Sequence, residues 1–133
     1  MEKLVVVLLL IYGAASLMHY THNAEFLREY PNMPGWLPRS RVYAAWIAVT
    51  AIGMCGYVLW RLGYKIVGLA VIGAYAGLGF DGLAHYAIAP FRDHSATMHA
   101  TIWLEVLTAA LLLATVVGCM TKLALARTRG RGR

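Results

Sequence analysis

Long apolar runs alternate with short polar segments along the 133-residue chain. The runs lie at about residues 4–26, 42–62, 64–88 and 97–122. Each provides the roughly 20 predominantly apolar residues that one transmembrane helix requires. The intervening segments hold all four prolines, which a helix interior does not easily accept. The pattern predicts an all-α integral membrane protein: a single four-helix bundle domain over residues 1–133, whose last part, 123–133, is a basic tail.

The composition agrees with residence in a membrane. Hydrophobic residues make up 60% of the chain and charged residues 14%, and the mean hydropathy is +0.61. Soluble domains contain about 45–50% apolar and about 25% charged residues. We therefore do not expect an ordinary soluble domain.

Basic residues are unevenly distributed between the two ends of the expected helices. With a cytoplasmic N-terminus, eight of the 12 Lys and Arg residues lie inside: Lys3, Arg61, Lys65, Lys122, Arg127, Arg129, Arg131 and Arg133. Cytoplasmic ends of membrane helices collect Lys and Arg. We therefore expect an N-in/C-in orientation in the cytoplasmic (inner) membrane. A signal peptide over residues 1–16 stays open as an alternative, because Lys3, an apolar stretch and GAAS follow that three-part pattern.

The net charge of +6 arises mostly from the tail ARTRGRGR. A basic tail beside a membrane helix is expected to meet anionic lipid, at about 1 kcal/mol per basic residue. Nucleic acid is therefore not an expected partner. Membrane lipid is, and a homo-oligomer or a larger membrane complex stays open.

Residues 77–82 read GLGFDG, which matches the glycine pattern of a dinucleotide-binding turn. That turn must follow a strand and open a helix, whereas these glycines lie inside an apolar run. We interpret Gly73 and Gly77 as small residues that allow close helix packing. The same helix is expected to carry Asp81 and His85 on one face, since they are four residues apart.

Titratable residues concentrate at one end of the four helices. All five histidines lie there: His19, His22, His85, His94 and His99. Five of the six acids do so as well: Glu25, Glu29, Asp81, Asp93 and Glu105. Asp81 and Glu105 are expected about 10 Å from the helix ends, where an unpartnered charge is costly. We therefore expect these side chains to face a shared interior.

A divalent transition metal (Zn, Fe, Mn or Cu) is the expected ligand, because imidazoles and carboxylates together suit such ions. The candidate ligands are His19, His22, Asp81, His85 and His99. The protein would then be a metal-binding protein, and in one version a metal-dependent enzyme acting on a lipid-like or small substrate at the outer leaflet. In that version Asp81 and Glu105 are the candidate catalytic residues, with Glu105 as general acid or base. His94, in a loop, is expected to be solvated.

Two other classes of function stay open. Histidines on different helices could bind haem, as in an electron-transfer membrane protein. The chain could instead be a small non-catalytic subunit of a larger membrane complex. A transport path is disfavoured, because the expected cytoplasmic halves of the helices carry no acid and no histidine. The proline-containing segment between the first two helices is expected to cover the polar residues as a lid.

Overall fold

A computed structural model describes residues 2–131, with only the helical backbone at residues 127, 130 and 131. The α-helices are α1 (Glu2–Glu25), α2 (Arg39–Arg61), α3 (Lys65–Leu78), α4 (Ala84–Ile88) and α5 (Ala96–Arg131). Short 3₁₀ turns occur at Asp81–Leu83 and Phe91–Asp93. Four segments are long and apolar enough to cross a membrane: Glu2–Glu25, Arg39–Arg61, Lys65–Ile88 and Ala96–Ala126. The predicted all-α architecture with four candidate membrane spans is thereby confirmed, while the N-in/C-in orientation stays a prediction.

The long helices form an up-down-up-down bundle in which sequence neighbours pack side by side. Helix α1 packs against α2 and α5, and α3 packs against the same two helices. The core between them is aliphatic and aromatic; its fully buried members include Tyr12, Leu69, Ile72 and Leu112. This core fills the half of the bundle away from the histidines, so that half provides a packed base for the polar end.

Glycines allow α2 and α3 to approach closely. A Cβ atom at Gly68 would lie 2.4 Å from the backbone nitrogen of Trp60, and one at Gly56 would lie 2.8 Å from that of Ile72. At Gly73, where we predicted close packing, an added Cβ atom would lie 3.4 Å from Val116. An added Cβ atom at Gly77 would have no neighbour within 4 Å. Close packing through small residues is therefore present, but it lies mainly nearer the α2–α3 turn than we predicted.

The third membrane segment is not one continuous helix. Helix α3 ends at Leu78, and a turn and a 3₁₀ segment lead into α4. At the break the amide of Gly79 donates to the carbonyl of Ala76, so the Tyr75 carbonyl lacks the usual donor four residues later. The Tyr12 hydroxyl donates to that carbonyl instead, at 3.2 Å. A side chain from α1 thus satisfies a backbone group that hydrocarbon would leave unpaired.

Helix α5 is much longer than a membrane requires. It has 36 residues and continues to Arg131. At about 1.5 Å per residue, it extends well past a hydrocarbon core of about 30 Å. The expected basic tail at 123–133 is therefore helical as far as Arg131, and residues 132 and 133 lie outside the described part of the chain.

Candidate functional site

The candidate site lies at the end of the bundle where α1 ends and α5 begins, which we call the histidine end. Helix α1 presents three buried polar side chains here: Ser16, His19 and Asn23. Their spacing of three and four residues places them on one helix face. Helix α5 opposes that face with Glu105, which is also buried.

His19 and Glu105 form the centre of the site. Their Nδ1 and Oε2 atoms are 3.8 Å apart, and both side chains are only 3% exposed. This separation is too long for a hydrogen bond. The two groups therefore face each other across a short gap without satisfying each other.

Three buried polar atoms on the α1 face lack a hydrogen-bond partner within the protein: Ser16 Oγ, His19 Nδ1 and Asn23 Oδ1. Leaving such a group unsatisfied costs about 1–3 kcal/mol each. Native structures contain few such groups, and they usually have a polar partner outside the protein chain. These three atoms and the Glu105 carboxylate place several buried polar groups between α1 and α5.

Gly82, in the 3₁₀ turn of the third membrane segment, packs against the His19–Glu105 pair. A Cβ atom there would lie 3.5 Å from Glu105 Oε2 and 3.7 Å from His19 Cε1. The 3₁₀ turn therefore places its backbone directly against the pair. A larger residue at this position would point its side chain into the gap between them.

His85 lies next to the pair. Its ring centroid is 5.5 Å from that of His19, and its Nε2 atom accepts a hydrogen bond from the Asn23 side-chain amide at 3.3 Å. The Tyr30 ring packs on the other side, 4.8 Å away. His85 thus lies beside His19 at the centre of the site, and the Asn23 amide holds it in place.

The α1–α2 segment contacts the site as the predicted lid would. Tyr30 is 3% exposed and hydrogen bonded through its hydroxyl to His22 Nδ1 at 2.9 Å. Burial raises the pKa of Tyr30 to about 12. Asn32 adds a hydrogen bond from its side-chain amide to the Ile88 carbonyl, at 3.1 Å. This segment therefore joins α1 to the end of α4.

His94 differs from its sequence prediction. We expected it to be solvated, but it is only 7% exposed and its Nδ1 atom donates to the Pro90 carbonyl at 3.1 Å. The rings of His85 and His99 lie 6.3 and 5.8 Å from it. The short connection through Pro90 folds back onto the bundle, which buries the imidazole despite its charged and polar sequence neighbours.

The side chains of His22 and His99 are each hydrogen bonded to a tyrosine. His99 Nδ1 is hydrogen bonded to the Tyr86 hydroxyl at 2.8 Å, and its ring stacks on Phe91 with the centroids 3.8 Å apart. His22 bonds to Tyr30 as described above. Within the described part of the chain, no direct contact joins either histidine to Glu105.

Asp81 and His85 do not lie in one continuous α-helix. Helix α3 ends at Leu78, and Asp81 begins a 3₁₀ turn that leads into α4, which carries His85. Asp81 is exposed, whereas His85 is partly buried. The shared face of the two residues stays a prediction. Gly77 and Gly79 flank the end of α3, and the low helix propensity of glycine favours a helix end there.

Two other acids at this end have structural contacts. Glu25 accepts hydrogen bonds from Arg39 at 2.8 Å and from the Tyr43 hydroxyl at 2.9 Å. Asp93 lies 3.7 Å from the Arg92 side chain. Glu25 thus joins the end of α1 to α2 at the surface, whereas Asp93 contacts its sequence neighbour.

No family model, curated protein or solved structure matches the chain. In residues 2–131 no group of three or more His, Cys, Asp or Glu side chains stands close enough together to hold a metal ion. The five candidate metal ligands thus do not surround one centre as the side chains stand. His19 is brought to Glu105 and His85 lies beside His19, whereas Asp81 is exposed and His22 and His99 are hydrogen bonded to tyrosines.

The sequence analysis missed three contributors to the site. Ser16 precedes His19 by three residues, so helical spacing would have extended the polar face to it. Tyr30 and Tyr86 carry no comparable sequence signal. Their roles depend on tertiary contacts with His22 and His99, which residue spacing does not reveal.

Proposed function

We propose that the protein binds a divalent transition metal ion between His19 and Glu105, at the histidine end of the bundle. The observation that supports this is the unpartnered, buried Nδ1 atom of His19, 3.8 Å from a buried carboxylate oxygen. An imidazole nitrogen and a carboxylate oxygen are ligands that Zn, Fe, Mn and Cu accept. A cation between them would satisfy both groups.

His85 is the proposed third ligand. Its ring centroid lies 5.5 Å from that of His19, and its Nε2 atom would exchange the bond to the Asn23 amide for the metal. Asn23 and Ser16 would then act as polar neighbours that orient the ligands, as groups around metal ligands commonly do. The proposal narrows the expected ligand set, because His22 and His99 are bonded to tyrosines and Asp81 is exposed.

A haem is less well supported than a single ion. Two axial histidines must stand on opposite sides of a porphyrin, whereas the His19 and His85 rings lie 5.5 Å apart and Asn23 bonds to His85. Gly82 closes the same space from the side. A site for one ion fits this arrangement better than a site for a flat macrocycle.

Under the N-in/C-in orientation, the metal would lie in the extracytoplasmic leaflet. The lid segment around Tyr30 packs on His85 beside the site, and a small or lipid-like substrate would have to enter past it. In a catalytic version the metal would polarise a substrate oxygen or activate water. Glu105 would then serve as a ligand, so we do not also assign it proton transfer.

The test is metal binding by the detergent-purified protein. Apo-protein is titrated with Co²⁺, whose visible absorption reports nitrogen and oxygen ligation, and bound metal is measured by elemental analysis. We expect one ion per chain, with binding strongly reduced in His19→Ala and Glu105→Gln. Glu25→Gln is the matched control, because Glu25 is an acid at the same end with only surface contacts. Equal Co²⁺ binding by all four proteins, or none by the wild type, would refute the proposal.

A further inference from the structure

A cavity of about 610 Å³ lies at the end of the bundle opposite the histidines, between the start of α1 and the α2–α3 turn. We call it the basic-end pocket; it is lined by Glu2, Lys3, Val6, Val7, Trp60, Arg61 and Lys65. Small-molecule sites have volumes of about 300–1,000 Å³. The pocket is therefore large enough for a headgroup together with the start of an acyl chain.

The charges around the basic-end pocket do not balance. Lys3, Arg61 and Lys65 carry three positive charges and Glu2 carries one negative charge, so two positive charges remain. Glu2 accepts a hydrogen bond from Lys65 Nζ at 3.0 Å, whereas the ion pairs in the described part of the chain include neither Lys3 nor Arg61. All four side chains are exposed, so a ligand can reach them. The pocket is thus complementary to an anion.

Neighbouring groups orient two of the basic side chains. Arg61 Nη1 donates to the Tyr57 hydroxyl at 3.3 Å, and Lys65 Nζ lies 5.2 Å from the centroid of the Trp60 ring. A guanidinium has five N–H donors, so Arg61 keeps donors for a phosphate, which it can bind through two parallel hydrogen bonds. Helix α1 begins at Glu2 and α3 at Lys65, and the positive ends of both helix dipoles also favour a negative charge. The chemistry that fits is a phosphate group.

The position and the apolar wall of the pocket favour a lipid over free phosphate. Ends of three candidate spans, Glu2–Glu25, Arg39–Arg61 and Lys65–Ile88, meet at the pocket. Lipid headgroups lie at such ends, just outside the hydrocarbon core. The wall of the pocket continues toward that core with Val7, which is 50% exposed, and Trp60, which is 5% exposed. An acyl chain would cover this wall, and inorganic phosphate would not.

We propose that the basic-end pocket binds one anionic phospholipid. Its phosphate accepts hydrogen bonds from Arg61 and Lys3, and the start of one acyl chain packs on Val7 and Trp60. This site is distinct from the basic tail, because none of its residues belongs to 123–133. The proposed metal site lies at the other end of the bundle and shares no residue with the pocket, so the two proposals stand independently.

The test is native mass spectrometry of the detergent-purified full chain, titrated with phosphatidylglycerol or with phosphatidylcholine of the same acyl chains. We expect the first phosphatidylglycerol to bind more tightly than phosphatidylcholine, whose choline cancels the phosphate charge. Lys3→Gln and Arg61→Gln should each weaken that first binding step by about 5-fold, since each removes one basic residue at the membrane surface. Glu2→Gln should strengthen it, because the change removes the acid and releases Lys65.

Arg129→Gln is the matched control, because it removes an exposed basic residue of α5 outside the pocket and should leave the first binding step unchanged. Phosphatidylcholine binding should be the same in all variants, which shows that they remain folded. Equal affinity for the two lipids would overturn the proposal, as would an equal loss in Arg129→Gln and Arg61→Gln. Weaker binding by Glu2→Gln would also overturn it. Displacement of the lipid by inorganic phosphate at a similar concentration would show that the pocket binds free phosphate instead.

Discussion

His19 of α1 and Glu105 of α5 face each other at 3.8 Å while both remain buried and unbonded to each other. A structural ion pair would be expected to close to hydrogen-bond distance and to satisfy its remaining atoms. This pair stands at 3.8 Å, and His19 Nδ1 lacks a hydrogen-bond partner within the protein. The gap is the observation that supports the proposed metal site.

Glu105→Gln should therefore cost little in metal-free protein. We expect the free energy of unfolding, measured by denaturant titration in detergent, to change by no more than about 1 kcal/mol, because no closed ion pair is lost and the glutamine amide keeps an oxygen that can accept from the nearby Ser16 hydroxyl. Breaking a buried structural pair would cost about 3–5 kcal/mol. A loss of that size would mean that Glu105 stabilises the fold and would count against the metal site.

Tyr12→Phe should destabilise the bundle at the break in the third membrane segment. The Tyr75 carbonyl would lose its donor, and we expect a decrease of about 1 kcal/mol in the free energy of unfolding. Tyr64→Phe is the control, because the Tyr64 side chain is exposed. Equal stability of the two variants would show that the Tyr12 hydroxyl does not support the backbone.

Gly79→Ala should be far more damaging than Gly77→Ala. A Cβ atom at Gly79 would lie 2.6 Å from the Ala109 Cβ and 2.7 Å from the Tyr12 ring. Overpacking of this kind costs about 1–3 kcal/mol. At Gly77 no atom lies within 4 Å, so alanine should be neutral or stabilising by up to about 1 kcal/mol. Thermal unfolding of both variants measures the difference, and similar melting temperatures would contradict the packing at Gly79.

His94→Ala should reduce stability, contrary to the expectation of a solvated loop residue. The change removes a buried ring and its bond to Pro90, which we expect to cost about 1–3 kcal/mol. Arg92→Ala is the neighbouring control, since that side chain is 88% exposed and should change stability by less than about 0.5 kcal/mol. If both variants have the melting temperature of the wild type, the segment from Pro90 to His94 does not fold onto the bundle.

Tyr30 should ionise later than an ordinary tyrosine. Its pKa is raised from 10.0 to about 12 by burial, so the folded state keeps the proton in a range where the unfolded chain releases it. The free energy of unfolding should therefore fall as the pH rises from 10 toward 12. The difference in tyrosinate absorbance between wild type and Tyr30→Phe isolates this group. If the tyrosinate absorbance of Tyr30 has its titration midpoint near pH 10, the lid segment leaves the Tyr30 hydroxyl exposed to water.

The membrane architecture could be predicted from the sequence because it depends on local properties. Run length, proline positions and hydropathy act within single segments, and all four candidate spans are present. The gathering of polar residues toward one end also followed from position along each helix. Of the expected ligands, however, His19 came to face Glu105 and His85 came to lie beside His19, because meeting across the bundle depends on helix rotation.

The errors of prediction share a physical cause. Asp81 and His85 were placed by assuming an unbroken helix, but Gly77 and Gly79 weaken it and Tyr12 stabilises the break from another segment. His94 was judged by its polar sequence neighbours, whereas the fold of the connection buries it. In each case a contact between distant parts of the chain overrode a local rule.

The break after Leu78 divides the third membrane segment into two parts that are held in place by different contacts. Below it, α3 packs against α2 at Gly56 and Gly68, where an added Cβ atom would lie closer than 3.0 Å to the backbone of the other helix. Above it, the short helix that carries His85 is held by side chains and connecting segments. Under the proposed function, a backbone rotation at the break would bring His85 to the metal while the α2–α3 contact keeps its register.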